Sequence, residues 1–157
     1  MPRFEASSLI QAPAGVVFSF HEKPEAFEIL MPPGRKFQIL RREGGIQDGG
    51  ELEFRLRLGP FWIRWHARHS GFRKDVVFVD EQVRGPFRRW VHRHEFHAQG
   101  GNTRLTDSID FSLPGGALVD FAGSWAVRLV LGRVFDFRHR VTRRVAERMA
   151  REIAHLG

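Results

Sequence analysis

The sequence predicts an α+β fold in which one curved antiparallel sheet of about seven strands is laid against a single long helix at the carboxy-terminal end. Three observations carry that expectation. Between residues 36 and 113 apolar side chains recur at every second position, interrupted by clusters of Gly, Pro, Asn and Asp, which is the pattern of consecutive hairpins. After Pro114-Gly115-Gly116 the period changes: Leu118, Ala122, Trp125, Leu129, Val134, Phe137, Val141, Val145, Met149 and Ile153 follow at helical steps. Before residue 36 one extended segment precedes two short stretches of helical spacing.

The elements follow in order. Residues 4–11 alternate weakly and stop at Ala12-Pro13, where proline ends a strand and opens a helix carrying Val16, Val17 and Phe20. A second short helix spans 24–30, and Pro32-Pro33-Gly34 turns the chain. Phe37, Ile39 and Arg41 lie on one strand; after Gln47-Asp48-Gly49-Gly50 comes another with Leu52, Phe54, Leu56 and Leu58. Gly59-Pro60 leads into a long strand, 61–72, and turns at Lys74-Asp75, Arg84-Gly85-Pro86 and Gly100-Gly101-Asn102 separate strands 76–82, 87–98 and 103–113. The last helix has Gly123 and Gly132 as weak points and presents Arg133, Arg140, Arg144, Arg148 and Arg151 on its far face.

Composition bounds the function. A chain of 157 residues suits one domain, 1–157, that buries roughly two thirds of its unfolded surface. With 42% hydrophobic residues, 15 Phe and 4 Trp, a packed aromatic interior is expected rather than disorder. The absence of cysteine excludes disulfides, thiolate nucleophiles and Cys-ligated zinc, and is compatible with a reducing compartment. No apolar run reaches the ~18–20 residues of a membrane span and no secretory leader pattern opens the chain, so a soluble cytoplasmic protein is expected, without membrane insertion. The net charge of +7 is arginine-based, with only Lys23, Lys36 and Lys74 beside it. Because these charges run from Arg3 to Arg151 interleaved with Asp and Glu, they read as a solvated surface and not as a specific nucleic-acid interface.

The stretch 85–97 concentrates the chemistry. Alternation puts Trp90, His92, His94 and Phe96 on one face of its strand and Arg89, Val91, Arg93 and Glu95 on the other. By the same rule the neighbouring strands supply Ile63, Trp65, Ala67 and His69; Phe78, Asp80 and Gln82; and Leu105, Asp107, Ile109 and Phe111. Asp80, Gln82, His69, His92, His94 and Asp107 are therefore expected on one surface of the sheet.

Four readings of that surface stand side by side. It is a satisfied polar network that orders a core wall; or those groups orient a ligand while Trp65, Trp90, Phe96, Phe111 and Trp125 supply apolar area; or His92 or His94 works as a base tuned by Asp80 or Asp107. The fourth is a metal held by His92 and His94, with Cα atoms about 6–7 Å apart along the strand, and by His69 or Asp80. The catalytic reading lacks an accompanying nucleophile, and the His-x-His spacing alone specifies no metal, so neither metal nor cofactor is assigned. His66 and His97 fall on outward faces, and Arg138-His139 reads as a surface pair in preference to an inward cap on the pocket.

Several motifs together resemble the START-like, or SRPBCC, superfamily of helix-grip proteins. They are Ile10-Gln11-Ala12-Pro13 with Val17-Phe18-Ser19-Phe20-His21; Gly59-Pro60-Phe61 with Trp65 and His69; Phe78-x-Asp80-x-Gln82-x-x-Gly85-Pro86-Phe87; Trp90-x-His92-x-His94-x-Phe96; Thr103-x-Leu105-x-Asp107-x-Ile109; and Phe135-x-Phe137-Arg138-His139. The superfamily includes lipid-transfer domains, polyketide cyclases and aromatases, and pollen-allergen-like binders; the chain is most similar to a bacterial ligand-binding branch, some members of which are labelled cell-division inhibitor-related. The resemblance implies a sheet gripping the terminal helix around a cavity. Its expected walls are Trp65, His69, Phe78, Asp80, Gln82, Trp90, His92, His94, Phe96, Leu105, Asp107, Ile109 and Phe111 on the sheet and Trp125, Leu129 and Phe137 on the helix. The expected function is binding of a small apolar or aromatic molecule there. A cyclase- or isomerase-type enzyme using His92, His94, Asp80 and Asp107 is the alternative, and a module for nucleic acid or anionic membranes is third. Oligomeric state is not legible.

Overall fold

A computed structural model describes residues 1–157. Strand β1 (Arg3–Ile10) is followed by helices α1 (Ala14–Glu22) and α2 (Ala26–Ile29), then by β2 (Phe37–Glu43), β3 (Glu51–Leu58), β4 (Phe61–Arg73), β5 (Val77–Arg84), β6 (Arg89–Gln99) and β7 (Asn102–Ser112), and by α3 (Ala117–Leu156). The 7 strands form one antiparallel sheet in the order β1-β7-β6-β5-β4-β3-β2, a meander with β1 added beside its last strand. This is the expected α+β helix-grip arrangement. The short helices carry the chain from one edge of the sheet to the other.

Curvature is built into the β4–β5 pair. Its register shifts between His66 and Ala67, where β5 carries the extra residue, and again between Ser70 and Arg73, where β4 carries it and Gly71 has φ 61. Extra residues in one strand of a pair bend it and increase its twist. Strand β6 begins later than alternation alone suggests, for a local reason: the Gln82 amide donates to Phe87 O at 2.8 Å and accepts from Phe87 N at 3.2 Å, so 85–88 is held as a tied turn. Gly85 lies under that bracket, where a Cβ would come within 2.3 Å of Gln82 Oε1.

Three packed groups fill the space between the sheet and the helices. Ile10, Val17, Phe18, Phe78, Phe96, Leu105 and Ala146 form one; Trp90, Ile109, Phe111, Leu131 and Phe135 a second; Phe20, Ala26 and Leu30, under Val141, Val145 and Met149 of α3, a third. Within the first, Thr103 is fully buried and its hydroxyl donates to Ala12 O at 2.7 Å, which fixes the end of β1 against β7. Thr103→Val keeps the shape and strands that carbonyl, so a loss of about 1–2 kcal/mol in urea unfolding is expected; an unchanged midpoint would show the carbonyl to be satisfied by other means.

The phase of α3 differs from the expectation. Val127, Leu131, Val134 and Phe135 pack toward the sheet, so Trp125 and Leu129, each two residues back, are rotated by about 200° onto the opposite face. They are 66% and 52% exposed and join Leu118 and Phe121, at 84% and 87%, in an outer stripe. Trp125 and Leu129 thus bound no interior space, while Phe137 is half-buried. The first half of α3 is apolar nearly all round, so hydrophobic spacing there is compatible with either face.

Candidate functional site

The inward parity of the strands is observed. His94 lies directly across from Asp107 in the β6–β7 pairing and Phe78 directly across from His94 in β5–β6; on the other side of β7, Ala6 is opposite Asp107. Asp107 Oδ1 accepts from His92 Nε2 and from His94 Nδ1, both at 2.8 Å, and its Oδ2 accepts from His139 Nε2 at 2.7 Å. The other nitrogen of His94 reaches Asp80 Oδ2 at 2.8 Å, and His92 Nδ1 stands 3.5 Å from the same oxygen. His139 Nδ1 meets Ser8 Oγ at 2.7 Å. The result is a continuous chain, Ser8–His139–Asp107–His94–Asp80, with His92 bridging its two carboxylates.

Protonation follows from this geometry. An ionised carboxylate only accepts hydrogen bonds, so His94, which meets one at 2.8 Å on each nitrogen, carries a proton on both, whereas His92 is that close to Asp107 alone. Burial works against that charge on His94, but Asp107 and then Asp80 outweigh it and raise its pKa to about 9. Burial likewise opposes charge on Asp107 and Asp80, and the facing histidines outweigh it, holding both carboxyls below the usual carboxylate range. The remaining imidazoles go the other way. Burial lowers His92, with the charge of His94 adding to it; burial lowers His69; and burial with the His94 charge takes His21 down to about 4. With Asp107 ionised, His139 donates to it from Nε2, and its Nδ1 shares a hydrogen bond with Ser8 Oγ.

The network has one end at the surface. Between β1 and α3 a groove of about 490 Å³ is lined by Phe4, Ala6, Ser8, Phe135, His139 and Arg140, among others, so Ser8 and His139 face it. His92, His94 and Asp107 are buried, whereas the Asp80 side chain keeps 20% of its surface. Asp80, His92 and His94 bring ligand-type atoms within 4.8 Å of one another and could hold a cation, at the cost of the bonds they make to each other and with Asp107 still orienting both imidazoles.

The expected wall residues are brought together, but they fill one another's space. Phe78 stacks on His94 with centroids 4.1 Å apart, Trp65 meets Trp90 edge-on at 5.0 Å, and Phe87 lies 6.0 Å from Phe111. Phe96, Leu105, Ile109 and Phe111 are wholly within the core. Gln82 is spent on its turn, and His69 Nδ1 lies 3.3 Å from Gly50 O. His66 is half-buried against Glu51 rather than solvated, while His97 is exposed as expected.

Four residues, Ser8, His21, Arg138 and His139, join the site beyond its expected walls. Ser8 shares the parity of Phe4, Ala6 and Ile10 on β1, and Arg138 and His139 continue the buried stripe Leu131–Phe135, so the surface reading of that pair is corrected for His139, which is 7% exposed. His21 is 9% exposed, its Nδ1 on Val17 O at 2.9 Å and its ring 6.2 Å from His94.

A curved antiparallel sheet closed by one long terminal helix over a buried polar network defines a protein of the START-like, helix-grip class. The chain belongs to the polyketide cyclase/dehydrase and lipid transport family, whose model matches residues 10–153. No curated protein sequence matches it significantly. Among solved structures it is similar to the Zhui aromatase/cyclase from Streptomyces sp. R1128, at 16% identity over 96% of this chain and 93% of that one, TM-score 0.64. It is also similar to Ara h 8.0201, at 14% identity over 89% of this chain and 97% of that one, TM-score 0.64. A nucleoside-diphosphate sugar epimerase from Corynebacterium glutamicum matches at 26% identity over 90% of this chain but 28% of that one, TM-score 0.66. The first two likenesses concern the fold.

Proposed function

We propose that the chain binds a small apolar or aromatic molecule between the concave face of the sheet and α3, at the end formed by β2, β3 and β4. The carrying observation is an aromatic face that α3 leaves only half-covered. The buried side chains of α3 meet β1, β6, β7 and α1, whereas Phe37, Leu56, Ile63 and Trp65 on the same concave face stay half-buried, with Phe27 of α2 leaning on Phe37 and Phe54 at 5.9 and 4.8 Å. Half-open apolar surface with a few polar groups beside it is what small-molecule sites are made of. An acid–base role for His92 and His94 fits less well, since every nitrogen of the pair faces a carboxylate.

The test is a fluorescence titration with the neutral probe N-phenyl-1-naphthylamine. Saturable uptake of one equivalent is expected, about tenfold weaker in Trp65→Ala and unchanged in Trp125→Ala. Uptake that depends on Trp125 instead would place the probe on the outer stripe of α3 and remove this reading.

A further inference from the structure

We infer that Arg138 is an anion-accepting subsite within that same site, and that the molecule bound there carries a carboxylate or similar anionic oxygen group on its apolar body; the inference rests on the binding reading above. Arg138 follows Leu131, Val134 and Phe135 at helical spacing, so it leaves α3 on the side that faces the sheet. It is half-buried, its Nε is shut off from solvent without a partner, and its guanidinium makes no hydrogen bond or ion pair with any protein group. Other interior ionisable groups of the site all have partners: His21 on Val17 O, His92, His94 and His139 on Asp107, Asp80 on His94.

The guanidinium is therefore the unmatched member of the site. Asp107 and Asp80 attract it through space, yet their oxygens are bonded to imidazoles and stand farther from it than ion-pair distance. Exposed arginines of this chain do find carboxylates, as Arg64 does with Glu53 at 2.6 Å and Arg68 with Glu51 at 2.9 Å. A charged group whose donor is shut off from solvent without a bonded partner is destabilising, and a partner from outside the chain removes that cost. The planar fork of guanidinium N–H groups matches a carboxylate in two parallel bonds. Phe135, whose ring centre is 5.3 Å from Arg138 Cζ, lies against the group without taking up any of its N–H donors. The net charge of +7 favours the approach of an anion. Its body would lie along Trp65 and Ile63, on the half-covered end of the sheet.

Two probes that share one body separate the claims: N-phenyl-1-naphthylamine, which is neutral, and 8-anilinonaphthalene-1-sulfonate, which adds an anionic oxygen group. At physiological ionic strength the full chain is expected to bind the sulfonate about tenfold tighter than the neutral probe. Arg138→Met should erase that preference by weakening the sulfonate about tenfold while leaving the neutral probe within about twofold, and Arg138→Lys should recover part of it. Arg140→Met, on the separate β1–α3 groove, should change neither. The melting temperature of Arg138→Met should hold or rise, because a bonded partner is not being removed. If neither probe is taken up, the binding reading fails and the subsite with it. If both bind and Arg138→Met weakens them equally or not at all, binding stands and the subsite is overturned. A fall of more than about 10 °C in Arg138→Met would overturn it too, marking Arg138 as the counter-ion of Asp107.

Discussion

Asp107→Asn is expected to lose about 3–5 kcal/mol of folding free energy, a fall of roughly 10 °C or more in melting temperature for a chain of this length. The size follows from what the carboxylate does. Three imidazole N–H groups converge on its two oxygens, from His92, His94 and His139, at 2.7–2.8 Å. An asparagine amide supplies one acceptor oxygen and turns the other position into a donor that points at another donor, so at least one N–H loses its partner in a buried place. The charge goes too, leaving the His94 imidazolium with Asp80 alone and Arg138 with less to attract it. Surface carboxylates offer the contrast: Glu43, whose side chain is 63% exposed beside Arg41, should cost less than about 1 kcal/mol when changed to Gln. Urea unfolding of the two variants side by side is the measurement. A loss for Asp107→Asn no larger than that for Glu43→Gln would show that the carboxylate is not the centre of the network.

Much of that network was readable in the sequence, and the reasons differ residue by residue. Strand alternation placed His92, His94, Asp80 and Asp107 on one face because a side-chain period of two needs no tertiary information. Even the pairing of His94 with Asp107 was within reach: Gly100-Gly101 is a two-residue turn, and counting outward from Gln99 and Asn102 arrives at 94 opposite 107. Ser8 and His139 were out of reach. Their meeting depends on β1 pairing with a strand about a hundred residues away and on the rotational phase of α3, neither of which local spacing encodes. Spacing leaves the phase open at Trp125 and Leu129 because the first half of α3 carries apolar residues around its circumference, and the stripe that packs is decided by the shape of the sheet beneath it. Aromatic side chains on neighbouring strands were expected to line a void; their own volume, seen in the Trp65–Trp90 and Phe78–His94 contacts, takes up most of that space.

Stability should peak near pH 6.5 and fall on both sides, with the alkaline fall being the distinctive one. His94 has its folded-state pKa raised to about 9 against 6.5 unfolded, so its contribution is complete below pH 6.5 and is lost as the pH climbs through 9. Each unit of such a shift is worth about 1.4 kcal/mol, so a loss on the order of a few kcal/mol, or about 5 °C or more, is expected between pH 7 and pH 10. On the acid side the signs reverse. His21, at about 4, with His92 and His69 also lowered, is neutral in the folded state and takes up protons more readily when unfolded, so stability is complete above pH 6.5 and drains as the pH falls from there toward 4. Asp80 and Asp107, both depressed, add a further loss once the pH drops below the ordinary carboxylate range. Melting temperatures taken every half unit from pH 4 to pH 10, on the native chain and on His94→Gln, separate these contributions. His94→Gln should be less stable near neutrality and nearly flat from pH 7 to pH 9, since the group that titrates there is gone. A native chain equally flat over that range would mean that His94 is not held as an imidazolium between Asp107 and Asp80.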